Sequence, residues 1–352
     1  MNHNIFKLIA RRYQVNLIEK VNPRIPIGSK IISKLLRIFN LHGNFSAFEH
    51  GRLIKIKELI LKRLNQSAVF SFYHGTTSWV ECENKLPYFT YLDACFETYL
   101  NIYHSGEKFS EKQLQRIYIK EKHFIENAKA VFFSSNWALQ DAKSRYELKG
   151  DNLFVAGLGG AFRDDFEFIK RTDPYLLFAG FDFIGKGGPI VIYAFQELRK
   201  AFPNLEFKIV GQKPPVKYLS IPGMHYIGLL NKSEPQQLRT LQELFANAFA
   251  FVLPTTRDLT PLVLVEAGSL GCPVISINHF GIPEIVKQDI TGILIEKHSD
   301  IKAGIIKAVS YLLENSTAWE RMKREAKSYT STNFTWEKSV NYMCDVINAS
   351  ID

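Results

Sequence analysis

The chain has 352 residues, 46% of them hydrophobic and 13% aromatic. That composition can fill the cores of two domains and excludes an extended disordered chain. No apolar run approaches the roughly 20 residues of a membrane-spanning helix. The opening MNHNIFKLIARRYQ is amphipathic but lacks the apolar core of a signal peptide.

The four cysteines, Cys82, Cys95, Cys272 and Cys344, show no CxxC spacing. Free thiols in a reducing cytoplasm are therefore expected. The net charge of +9 is uneven. Residues 1–65 hold thirteen of the 44 Lys and Arg, against only Glu19, Glu49 and Glu58 of the 35 acidic residues. A basic amino-terminal region suits an anionic membrane surface or nucleic acid, or is simply a set of solvated helix faces. No recognition motif accompanies the charge, which disfavours nucleic acid.

Taken in order, Ile5–Tyr13 is expected to be a helix and Gln14–Ile18 a strand. Ile27–Leu41 and Glu49–Leu64 have apolar residues at helical spacing: Ile31, Leu35 and Ile38 in the first, Leu53, Ile56, Leu59 and Ile60 in the second. Strands are predicted at Ala68–Phe72, Pro87–Leu92, Ala130–Phe133 and Asn152–Ala156. Helices at Lys108–Asn127 and Trp137–Tyr146 alternate with them, and Ser134, Ser135 and Asn136 cap the second. Such alternation specifies a doubly wound parallel sheet. The polar stretch after Phe162 suits a linker over 163–174.

A second domain opens with a strand at Tyr175–Phe181. Pro189–Phe202 is a helix, and strands follow at Leu205–Val210 and His225–Gly228. Leu238, Leu241, Leu244, Phe245 and Ala248 make one helical stripe. The chemistry concentrates in Phe251 to Glu284. There a strand (Ala248–Leu253) meets a polar loop, Pro261 opens an apolar helix containing Glu266, and Gly271-Cys272-Pro273 ends that helix. A new strand, Val274–Ile277, leads through His279-Phe280-Gly281 to a second helix start at Ile282-Pro283-Glu284. Two successive strand-loop-helix units put two helix N-termini on one sheet edge, a setting that favours anions. Gly292–Ile295, two helices across Asp300–Tyr329, and Trp336–Ile347 complete the chain.

These pieces, in order, resemble the retaining glycosyltransferases of family 4, which have the GT-B fold. The family signature is an acid, seven residues, a Glu, then Gly-x-Pro-Val and Gly-x-Pro-Glu. Here it is Asp258, Glu266, Gly271, Pro273, Val274, Gly281, Pro283 and Glu284, with Gly180, Lys186, Gly187, Gly188 and Gly211 upstream. The resemblance implies two Rossmann-like α/β domains facing a central cleft. The acceptor domain would be residues 1–162, completed by a returning helix at 335–352, and the donor domain residues 175–334. The family's first strand and its glycine loop have no counterpart. Phe181 stands where an Arg is usual, and Asp258 where the first acid is usually Glu.

By the same resemblance Lys186 and Gly187 would meet the donor diphosphate, and Glu266 the ribose hydroxyls. Asp258 would contact the donor sugar near the reaction centre. Gly281, Ile282, Pro283 and Glu284 would lie near the diphosphate or sugar, and Gly211 beside the base. Asp93, at a strand end in the first domain, could accept from an acceptor hydroxyl or act as its base.

Plainer roles stand beside each of these. Lys186 could be a solvated loop residue, Glu266 a carboxylate on an exposed helix face, and Asp258 and Asp93 could be caps. The glycines could serve tight turns only. Phe96, Tyr99 and Tyr103 could stack on a sugar or fill the core; His74 and Ser134 are weaker strand-end candidates. Arg257 or Lys213 could replace the missing Arg.

The expected activity is sugar transfer from a nucleotide-sugar donor to a glycan, glycolipid or other glycoconjugate, in the cytoplasm or at the inner membrane face, with no metal or other cofactor. The alternative is a catalytically weak GT-B binding subunit.

Overall fold

The computed structural model describes residues 2–25, 27–39, 45–82, 86–162 and 174–351. The expected linker lies outside these, apart from Pro174. The chain forms two compact units, Met1–Gly157 with Ser339–Asp352, and Leu158–Lys338. No described helix is long and apolar enough to cross a membrane.

The first unit is built on four parallel strands in the order β1 (Ser71–His74), β2 (Tyr88–Leu92), β3 (Ala130–Phe133) and β4 (Leu153–Val155). Its helices are α1 (Asn2–Ile9), α2 (Ile27–Ile38), α3 (His50–Arg63), α4 (Phe96–Tyr103), α5 (Glu111–Glu126) and α6 (Asn136–Tyr146). Every residue of β2 and β3 is buried, as expected of a parallel sheet covered on both faces. Leu53, Ile56 and Ile60 of α3 and Phe124 and Ile125 of α5 close on that sheet. Ser135 caps α6 by accepting the Ala138 N–H at 3.0 Å.

Two expectations for this unit are corrected. Gln14–Ile18 is not a strand. It has no partner backbone to bond, and Val15 and Leu17 are exposed. Side chains hold the segment instead: Arg63 donates to the Glu19 carbonyl at 2.8 Å, and Tyr13 Oη donates to Asn348 Oδ1 at 2.7 Å. The sheet therefore starts at β1. That strand lies later than the predicted Ala68–Phe72, because Asn65 Oδ1 takes the Ser67 N–H and hydroxyl and holds a turn just before it.

The second unit has six parallel strands: β5 (Tyr175–Gly180), β6 (Glu206–Gly211), β7 (Met224–Gly228), β8 (Ala250–Leu253), β9 (Val274–Asn278) and β10 (Gly292–Glu296). Their spatial order is β10-β9-β8-β5-β6-β7. Between them run α7 (Gly188–Ala201), α8 (Pro235–Ala246), α9 (Leu262–Ser269) and the single turn α10 (Ile282–Ile285). Helices α11 (Ile301–Glu314) and α12 (Ser316–Asn333) follow, and α13 (Trp336–Ile351) lies, from Ser339 on, in the first unit. The chain winds outward in one direction from β5 and in the other from β8, so the switch point lies between these two neighbours. In open parallel sheets, ligands bind beyond the carboxyl ends of the strands at such a point.

The four cysteines are free and buried. Burial pushes the Cys82, Cys95 and Cys272 thiols up to about 12.

Candidate active site

The loop after β5 carries Lys186, and Asp182 organises it. The Asp182 Oδ1 accepts the Gly185 N–H at 2.8 Å, and its carbonyl accepts the Lys186 N–H at 2.9 Å. The Gly187 N–H goes to the Ile184 carbonyl and the Gly188 N–H to that of Phe183. The expected backbone cradle for a phosphate is therefore spent internally, and the Lys186 ammonium is what this loop presents. Gly187 has φ +81°, and a Cβ there would lie 2.8 Å from the Pro254 carbonyl, so only glycine lets the loops after β5 and β8 close on each other.

That approach brings Lys186 Nζ to 3.2 Å from Asp258 Oδ2. Asp258 sits in a turn fixed by Thr255, whose hydroxyl donates to the same Oδ2 at 2.9 Å and accepts the Asp258 N–H at 3.2 Å. Both contacts fall on Oδ2. Helix α9 begins just beyond, and Pro261 at its N-cap has no N–H to offer. Helix geometry leaves the Leu262 and Val263 N–H groups with no intrahelical acceptor. An ammonium, a carboxylate and one helix tip thus converge at the switch point.

Glu266 lies in the second turn of α9 and is only 2% exposed, so the exposed-face alternative is wrong. Its Oε1 accepts from Lys232 Nζ at 2.5 Å, while its Oε2 is buried with no partner. Burial pushes the carboxyl up, and the Lys232 charge pulls it back toward the ionised form. Lys232, from the loop between β7 and α8, also lies over the Phe162 ring.

The remaining candidates separate. Gly211 has φ +110°, and a Cβ there would lie 2.1 Å from the Gly180 carbonyl, so close backbone packing explains this glycine without any ligand. The α10 start offers no backbone donors. The Gly281 N–H goes to the Leu259 carbonyl, the Ile282 N–H to that of His279 and the Glu284 N–H to that of Gly281, and Pro283 has none. Ile282 is fully buried. The expectation of a second anion-binding helix tip is thus corrected: a four-residue turn satisfies its own donors.

Asp93 is exposed at the carboxyl end of β2. Ser134 is buried, and His74 is half-buried with its Nε2 unpartnered. Phe96 is core, whereas Tyr99 and Tyr103 reach solvent. Phe181 is 74% exposed, and Arg257 lies 3.5 Å from Asp182 in the same loop.

Three positioning residues escaped the sequence reading: Asp182, Thr255 and Lys232. Asp182 and Thr255 had a local signal, since an Asp three residues before a Gly and a Thr three before an Asp both favour side-chain-bonded turns. Lys232 had none, because 34 residues separate it from Glu266.

The paired parallel-sheet units define a GT-B fold. Residues 162–329 match the family described as glycosyl transferases group 1, and the carboxyl-terminal unit thus carries that family's domain. The chain is 28% identical over 176 residues to the glycogen synthase of Mycobacterium tuberculosis, covering 47% of this chain and 41% of that protein. Across the curated relatives, the match spans between 41% and 59% of their lengths. Among solved structures, WaaG, a glycosyltransferase involved in lipopolysaccharide biosynthesis, superimposes with a TM-score of 0.67 at 16% identity, over 98% of this chain and 94% of that one. Anabaena HepE, solved with UDP, gives 0.63 at 15% identity, over 91% and 89%. At these identities the structural likeness bears on the fold alone.

Proposed function

We propose that this chain moves a sugar from a nucleotide-sugar donor to a glycan, glycolipid or other glycoconjugate, with retention of anomeric configuration. The single observation that carries the reading is the pairing of Lys186 with Asp258 at the switch point, eight residues before the half-satisfied Glu266. In transfer, the anomeric C–O bond to the terminal phosphate breaks, and its electron pair leaves with the diphosphate. An acceptor oxygen bonds the same carbon, and its proton passes to an oxygen of the departing diphosphate.

Lys186 would neutralise the departing diphosphate together with the α9 tip, a type of electrostatic stabilisation that is commonly the largest catalytic contribution. Asp258 would then exchange its lysine for the donor sugar. Glu266 would take the ribose diol on its open Oε2. Asp93 is our assignment for the acceptor hydroxyl. Gly187 serves the loop approach; Pro283 and Glu284, both half-buried, would shape the wall beside the sugar through their side chains, and Gly281 and the buried Ile282 would hold the turn that presents them. No metal takes part in this scheme. The UDP bound in HepE supports a uridine donor as the first to try.

The test is a panel of nucleotide sugars screened for binding by thermal shift and for transfer by product detection, with and without EDTA. Expected are stabilisation by one donor class, a product whose anomeric proton coupling matches that of the donor, and no effect of EDTA. Absence of both binding and transfer across the panel would overturn the reading. A second reading, a partner subunit that binds donor without transferring it, is favoured by exposed Phe181 in place of an Arg. Binding with no product would select it.

A further inference from the structure

We propose that α2 docks the chain on an anionic lipid surface. The inference is independent of the glycosyl-transfer reading. Helix α2 runs Ile27–Ile38, and Ile27, Ile31, Leu35 and Ile38 recur at spacings of four, four and three. That period stacks them in one stripe along the helix. All four are exposed, as are Ile32 and Phe39, with Ile27 at 76%. Among the helix's described side chains, only Leu36 turns partly away from solvent. The apolar face therefore points outward, the reverse of a helix that packs on its own domain. In α3 of the same unit the equivalent stripe, Leu53, Ile56 and Ile60, is buried.

Charge identifies the occupant. Lys30 and Lys34 are exposed and flank the stripe on its other side. Between Lys20 and Phe48 the sequence has Lys20, Arg24, Lys30, Lys34 and Arg37 and no acidic residue. A second copy of this chain would bring the same positive charges against these, with no carboxylate to pair them. Nucleic acid would find the charge but nothing for the four aliphatic side chains of the stripe, and the lone ring of Phe39 beside them makes no platform for successive bases. An anionic bilayer satisfies both. The aliphatic side chains enter the headgroup boundary, and the lysines lie along the surface with their ammonium groups among the phosphates.

The test is flotation of the full chain with phosphatidylcholine vesicles, with and without a quarter phosphatidylglycerol, at low and high salt. The unaltered chain is expected to float with the anionic vesicles at low salt and to be released at high salt. The double variant I31D/L35D and the charge reversal K30E/K34E should each weaken binding at least tenfold. All four positions are solvent-exposed, so the thermal transition should stay unchanged, and this is measured alongside. The proposal is overturned if the chain stays with the soluble fraction, or if both variants float like the parent. It is also overturned if I31D/L35D abolishes a concentration-dependent dimer in sedimentation while vesicle binding persists, or if an oligonucleotide displaces the parent but neither variant changes vesicle binding.

Discussion

Two buried glutamates, one in each unit, show how differently a carboxylate can be kept out of water. Glu121 in α5 is fully buried. Its Oε1 accepts from the hydroxyls of Thr76 and Thr77, and its Oε2 from the Phe96 N–H at 2.7 Å and Tyr146 Oη at 2.5 Å. It ties α5, α4, α6 and the loop after β1 together. Glu266 is as deeply buried but has one lysine and one orphaned oxygen. Burial of a charge is costly without partners, so a saturated carboxylate reads as architecture and a half-satisfied one as a place held for a ligand. Depth alone does not separate the two; the count of donors does.

The contrast can be broken at several points. Replacing Lys186 by Ala should have the largest functional effect, lowering transfer roughly a hundredfold to a thousandfold. The melting temperature should hardly move, because the ammonium is partly solvated; initial rates and a thermal scan check both. Glu121→Ala should do the opposite. It strands several buried donors at once and should cost about 3 kcal/mol or more, read by urea unfolding. An unchanged stability would sink the architectural assignment.

Glu266→Gln should weaken donor affinity by roughly tenfold or more, and stability should hold or rise slightly once a buried charge is removed. Lys232→Met should raise the donor KM more than it lowers kcat. It should also move the acidic limb of donor binding to higher pH, because the ammonium helps keep Glu266 ionised.

The smallest effect concerns His74, whose Nε2 is likewise buried without a partner. Burial holds its imidazole neutral, down at about 4 against the usual 6.5. Between these values the unfolded chain binds more protons than the folded one. Stability should therefore fall as pH drops from about 6.5 toward 4, by on the order of 1–3 kcal/mol. His74→Gln should flatten that slope in unfolding measured across the same pH range.

Much of this was legible from local pattern. The strands of both sheets, the helices between them and the Pro261 helix entry followed from apolar spacing and turn residues, because short-range sterics and side-chain periodicity act within a few residues. The error at Gln14–Ile18 arose because alternating residues describe a strand only where a neighbour supplies the other half of its hydrogen bonds. The signature residues marked Lys186, Asp258 and Glu266 as candidates, but not what each would touch.

Tertiary structure alone decided the rest. Lys186 reaches Asp258 across 72 residues and Lys232 reaches Glu266 across 34. Both pairs form because the parallel strands of one sheet deliver their loops to the same edge, from the neighbours β5 and β8 in the first case and from β7 and β8, with β5 and β6 between them, in the second. The silence of the α10 tip was equally invisible in sequence, since its amides could have pointed outward until the packed loops supplied carbonyls for them. Whether a polar atom is satisfied depends on everything that excludes water from it, and that is a property of the folded chain rather than of any segment.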